Sequence, residues 1–90
     1  MTPFHVALYG RRDCCLCDGA AALLEALRPD WVFTLEKIDI DDDPDLRERW
    51  NCHIPVITIN GAHRVALRIT EQRLRRAFAR AASAQQSNSN

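Results

Sequence analysis

An excess charge of either sign is missing from this chain: twelve basic and twelve acidic side chains cancel to a formal charge of zero. That excludes a general attraction to nucleic acid or to an anionic membrane. Long apolar runs are missing too; none approaches the roughly 20 residues needed to span a bilayer. Met1-Thr2-Pro3-Phe4-His5 lacks the cationic and then apolar pattern of a leader. The expectation is a soluble, cytoplasmic monomer with no nucleic-acid and no membrane partner. Cysteine is scarce outside one place, since three of the four thiols fall within four residues. Dispersed bridges therefore cannot staple this fold, which fits an intracellular setting. Internal repeats are absent, and 90 residues suffice for one domain with a modest core.

What is present is concentrated in Asp13-Cys14-Cys15-Leu16-Cys17-Asp18. Cys14 and Cys17 are three apart, and at the start of a helix such residues share a face. The second thiol can then reach a disulfide formed by the first, which is the geometry of an attacking and a resolving cysteine. Apolar Leu16, Ala20, Leu23, Leu24 and Leu27 recur at helical spacing behind the pair, so a helix is expected from about Cys15 to Leu27, stopped at Arg28-Pro29-Asp30. Cys14 then falls at or just before a helix N-terminus, where unpaired N–H groups and the helix dipole favour a thiolate. Arg11 and Arg12 push the same way; Asp13 and Asp18 oppose them.

The remaining elements follow in order. Phe4 to Tyr9 reads as an inner strand, apolar on both sides apart from His5, taken as a partly solvated residue at the strand's start. Trp31 to Ile40 alternates and is rich in aromatic and branched side chains, so it is the second strand. The acidic run Asp39 to Asp43 has neither the alternating ligands nor the mid-loop glycine of a calcium loop. Asp43-Pro44 instead fits an N-cap and first helical position, opening a short helix to about Trp50. Pro55 introduces a third strand through Ile59, and Asn60-Gly61 reads as a two-residue type I′ turn into a fourth, Ala62 to Leu67. Thr70 caps a last helix, with Ile69 and Leu74 as a hydrophobic staple and Leu74, Ala77, Phe78 and Ala81 as its buried stripe. Arg73, Arg75, Arg76 and Arg80 are read as its solvated face. The domain is expected to span 1–82, with 83–90 a disordered polar tail.

Cys14-x-x-Cys17 opening the first helix, Ile54-Pro55-Val56 after the second, and Asn60-Gly61 in a closing hairpin together resemble the thioredoxin fold, and more closely the glutaredoxin-like family. The resemblance covers about residues 4 to 80. It implies a three-layer α/β/α sandwich in the order βαβαββα, with a four-stranded mixed sheet ordered second, first, third, fourth strand. It also implies a cis Pro55 beside Cys14, backbone groups of Ile54 offered to an extended substrate segment, and Cys17 as the more buried thiol. The activity implied is thiol–disulfide exchange on protein or low-molecular-weight disulfides, with no bound cofactor. Glutathione as co-substrate, or thioredoxin reductase, would supply electrons.

The chain departs from the family around the pair. Asp13 precedes it and Cys15-Leu16 fills it, where thioredoxins carry Trp and Gly-Pro and glutaredoxins Pro-Tyr. The paired glycines and acidic residue by which many glutaredoxins hold the γ-glutamyl end of glutathione are also missing, with Leu67-Arg68-Ile69-Thr70 in about that place. Arg12, or Arg11, could still meet a glutathione carboxylate. Cys15 is read as a bystander, and Cys52 as a half-buried small apolar residue. Two other readings stay open: a metal-binding protein, using Cys14, Cys17, Cys52 and His53 for zinc or an iron–sulfur cluster, and a binding module without turnover.

Overall fold

The computed structural model describes residues 3–12 and 15–87. Its elements are β1 (Phe4–Gly10), α1 (Cys15–Ala26), β2 (Phe33–Asp39), a 3-10 turn (Ile40–Asp42), α2 (Pro44–Trp50), β3 (Val56–Ile59), β4 (His63–Ala66) and α3 (Glu71–Ser87). The sheet order is β2-β1-β3-β4. β1 runs parallel to β2 and antiparallel to β3, and β3 pairs antiparallel with β4. The crossover from β1 to β2 through α1 is the parallel unit that a strand, helix and strand should form.

Alternation along the strands sorts side chains between two layers. Phe4, Val6 and Leu8 of β1 join Ile57, Ile59 and Val65 in one cluster with Ala20, Leu24 and Leu27 of α1 and Leu74, Ala77, Phe78 and Ala81 of α3. Tyr9 faces the other way, its ring 6.1 Å from that of Trp50 in α2. Two helices thus cover one face and the short α2 the other, which is the expected three-layer sandwich of the thioredoxin-like fold. Phe78 is the hub of the larger layer. Its ring stacks on Trp31 at 5.3 Å and lies 5.5 Å from Phe4 and 5.3 Å from Phe33.

Helix ends follow the chemistry of their caps. The Asp39 carboxylate accepts from the Asp41 N–H, and that of Asp43 from the Asp45 N–H, both at 2.9 Å. Pro44 occupies the start of α2 and Thr70 Oγ1 accepts from the Arg73 N–H at 3.2 Å. The acidic run is thereby committed to starting two helical segments. Arg28, past the end of α1, donates to the Phe33 carbonyl at 2.9 Å and to the Glu25 carboxylate at 3.0 Å. That hydrogen bond holds the exposed Glu25 below its usual carboxylate range.

Four expectations need correction. The second strand is shorter than Trp31 to Ile40, because Trp31 turns into the aromatic cluster and Ile40 is buried in the 3-10 turn. Ile59 pairs with His63, so the hairpin loop is Asn60-Gly61-Ala62 instead of two residues. Asn60 causes the slip: its N–H donates to the His5 carbonyl at 2.7 Å and its side-chain oxygen accepts from the His5 N–H at 2.9 Å, extending the β1–β3 ladder past Ile59. Asn60 and Gly61 keep the positive φ of a primed turn, 55° and 72°. Leu16, which shares the helical apolar spacing of Ala20, Leu24 and Leu27 and so would be expected in the buried stripe of α1, is 69% exposed, since the first turn of α1 projects beyond the layer that Leu24 and Leu27 fill. Finally α3 continues to Ser87 where disorder was expected from Ser83. Buried Ala81 and partly buried Ala82 hold the helix on the core, and adding residues to an existing helix costs little.

Replacing Phe78 with alanine should destabilise the domain by about 3–5 kcal/mol, read as a lower urea midpoint at an unchanged m-value. Asp43→Ala, which removes only a cap, should cost about 1 kcal/mol in the same measurement.

Candidate active site

β1 ends in Gly10, and the missing side chain there has a specific use. A Cβ built on Gly10 would lie 2.7 Å from the Cys17 sulfur and 3.1 Å from Cys17 Cβ, closer than packed atoms approach. Cys17 can therefore seat its sulfur against the β1 backbone, and its residue is only 7% exposed. This contact fixes the first turn of α1 on the C-terminal end of the sheet. Cys14 and Asp13 lie outside the described residues. Cys15 is the first residue of α1.

Two concavities flank that turn. One, of about 220 Å³, reaches from Gly10, Cys17 and Ala21 to Arg12, Lys37 and Asp39. The other, of about 190 Å³, is apolar; Leu16, Ala20 and Leu23 of α1 face Pro55, Leu67 and Ile69 across it. The fold thus brings Pro55 across from Leu16 in the first turn of α1. Pro55 is fully buried, and the Ile54–Pro55 peptide bond is cis. Ile54 is half-buried, and among the described residues neither its backbone N–H nor its C=O has a hydrogen-bond partner.

Leu67 is the residue that sequence reasoning missed here. Its φ is +66°, in the left-handed region that a non-glycine residue adopts only when its surroundings over-determine it. Its N–H supplies the constraint by donating to the carbonyls of Pro55 at 3.0 Å and His53 at 3.2 Å. Leu67 is left 53% exposed at the rim of the groove, opposite Leu16. In the sequence Leu67 looks like the end of a strand, so only the register could have revealed it.

The two arginines differ. Arg11 donates to Asp41 at 3.1 Å and to the side-chain oxygen of Asn51, which spends it on clamping β1 to the 3-10 turn and α2. Arg12 has an 87% exposed side chain and, among the described residues, pairs only with Asp39, at 3.6 Å, so of the two it is the more available to a ligand. Cys52 is exposed instead of half-buried, because the chain leaves α2 through turns on the surface. With His53 it lines a separate cavity beside Pro44 and Asn51 that includes neither Cys17 nor Pro55. Among the described residues no three His, Cys, Asp or Glu side chains are grouped to hold a metal ion, and no helix is long and apolar enough to cross a membrane.

The model of the Glutaredoxin-like domain (DUF836) matches residues 5–79. Among solved structures, the structural-genomics target protein XcR50 from X. campestris is 28% identical with a TM-score of 0.72, over 82% of this chain and 95% of that one. Protein Ne2328 from Nitrosomonas europaea, solved in solution, is 34% identical with a TM-score of 0.62, over 66% of this chain and 69% of that one. A malarial protein, 15% identical with a TM-score of 0.66 over 88% of this chain and 97% of its own, shares the fold alone. No curated protein matches the sequence.

Gly10→Ala should push its new methyl into Cys17 and cost about 1–3 kcal/mol. Gly19→Ala, where nothing lies within 4 Å of the added carbon, should instead stabilise α1 by about 0.5–1 kcal/mol. Urea unfolding of the two variants beside the parent checks the opposite signs.

Proposed function

The chain belongs to the glutaredoxin-like domain family, and from that premise we propose that it is a thiol–disulfide oxidoreductase whose substrates are disulfides carried on polypeptide segments. The observation that supports this reading is the setting of Cys17 and Leu16 in the first turn of α1. Cys17 is buried against Gly10 on one side of the first turn of α1, and an exposed apolar groove leads to Pro55 on the other.

In the reaction proposed, the Cys14 thiolate attacks one sulfur of a substrate disulfide, and the other substrate sulfur leaves as a thiolate that takes up a proton. Cys17, giving up its own proton, then attacks the Cys14 sulfur of the mixed disulfide. The second substrate sulfur leaves and is protonated in turn. The substrate gains two electrons, and the protein is left with a Cys14–Cys17 disulfide. Glutathione, or a reductase of the thioredoxin reductase type, returns the two electrons.

Burial suits Cys17 to the second step, since a seated sulfur is kept from outside disulfides yet meets one formed a helical turn away. Backbone groups of Ile54 are free to pair with an extended segment among the described residues, as in strand addition. Leu16 and Leu67 would cover apolar side chains of that segment. Arg12 remains available for a substrate carboxylate.

Cys14→Ser should reduce turnover of a protein disulfide to the background rate, while Cys17→Ser should accumulate a mixed disulfide visible by mass spectrometry. Activity of Cys14→Ser equal to that of the parent would falsify the mechanism. Asparagine tolerates a left-handed backbone, so Leu67→Asn should leave stability unchanged or slightly raised. Because burying a leucine contributes about 1.5–3 kcal/mol, that variant should raise KM for a protein disulfide about tenfold or more. A small aromatic disulfide should register little change. Coupled turnover with glutathione and glutathione reductase, set against thioredoxin reductase, identifies the electron donor.

A further inference from the structure

Away from the cysteines, the groove between β4 and α3 gathers positive charge with nothing to balance it. It has a volume of about 310 Å³, and its charged and titratable lining is His63 and Arg64 from β4 and Arg73, Arg76 and Arg80 from α3, over a floor of Val65 and Ala77. Among the described residues no carboxylate lines it. Arg75, on the adjoining strip of α3, is by contrast matched, reaching Glu71 and Asp30, each at 3.0 Å. Among the described residues Arg64, Arg76 and Arg80 form no ion pair.

The arrangement works against the fold's own stability. Arg76 and Arg80 stand four apart on one helix, where like charges repel. Arg64 touches the groove from β4, but its guanidinium carbon lies 5.3 Å from the Trp50 ring on the α2 side of the sheet, so it adds charge at the rim and is not one of the groove's direct ligands. Arg73 donates to the carbonyls of Ala66, at 3.2 Å, and Arg68, so it braces the β4–α3 connection and adds charge without being free to move. The two that remain uncommitted, Arg76 and Arg80, project from the rigid middle of α3.

We propose that this groove binds a compact polyvalent oxyanion, a polyphosphate group, held chiefly by Arg76 and Arg80 with Arg73 beside them. Guanidinium forks match phosphate oxygens in pairs. Several cations lining a single concavity need several negative charges within a few ångströms. Phosphates joined through shared oxygens supply that density, whereas the carboxylates of an acidic peptide are spread along a chain at roughly 3.3 Å per residue. Binding here is independent of the sulfur chemistry, because neither Cys17 nor Pro55 lines this groove.

The test is calorimetric titration of the full chain with sodium tripolyphosphate at a fixed chloride concentration of about 150 mM, near physiological ionic strength. One site per chain with Kd below about 1 mM is expected, weakening as salt rises. Arg76→Gln/Arg80→Gln should weaken it at least tenfold, while Arg49→Gln, an exposed arginine on α2, should leave it unchanged. Arg80→Gln alone, expected to weaken binding severalfold, serves if the double variant fails to fold by circular dichroism. ATP titrated in parallel shows whether a nucleoside is accepted with the phosphates. The absence of saturable binding would overturn the proposal. So would equal weakening by Arg49→Gln, which marks diffuse attraction, or tighter binding of a polyglutamate peptide than of tripolyphosphate at equal charge.

Discussion

The packing of one sulfur on one strand end organises this molecule. Gly10 closes β1 without a side chain, and Cys17 settles its sulfur into the space that a methyl would fill. Because Cys17 sits in the first turn of α1, this contact sets how that helix meets the sheet. It thereby sets where Leu16 emerges, facing Pro55 and Leu67 across the apolar groove. The rest of α1 is anchored by burying Ala20, Leu24 and Leu27 among the strand side chains. Burial of that kind supplies most of the stability but is tolerant of small shifts. The glycine contact is not tolerant, since backbone cannot move aside as a flexible side chain does.

Charged groups around the site act mainly as structural ties. Arg11 joins the end of β1 to the 3-10 turn and α2 through Asp41 and Asn51, while Asp39 and Asp43 cap the segments that follow β2. These contacts hold the sheet end and the α2 layer in one arrangement. The cations beside the cysteine segment are consequently partly neutralised by Asp39 and Asp41. Pro55 and Leu67 play the complementary part on the apolar side, where the bifurcated Leu67 N–H locks the chain that follows β4 against the loop that precedes β3.

A formal charge of zero conceals a segregated surface. Acidic residues gather from Asp39 to Asp45, next to the candidate active site, and basic ones along α3 and β4. The sum says little about local potential, because exposed charges farther apart than about 8 Å are screened from one another at physiological salt. A reading that stops at composition therefore removes phosphate-bearing partners too early. Position on the fold decides which of the twelve basic side chains have a carboxylate at hand.

Local chemistry made much of this fold legible in the sequence. Period-3.6 apolar spacing marked α1 and α3, Asp43-Pro44 and Thr70 marked helix starts, and the succession of elements with Cys14-x-x-Cys17 and Ile54-Pro55 marked the family. Each of those signals acts within a turn or two of chain. Contacts between distant segments decided the rest: Asn60 reaching His5 moved the hairpin register, and Trp31 joining Phe78 shortened β2. The hydrogen bonds from Leu67 to Pro55 and His53 turned the end of a strand into the rim of a groove, and Leu16 left the buried stripe to face it. The sequence determined which residues could form the elements and the reactive pair, because propensity, capping and periodicity are properties of neighbours along the chain. Only the tertiary structure decided what faces those residues, because that depends on pairings between segments far apart in sequence.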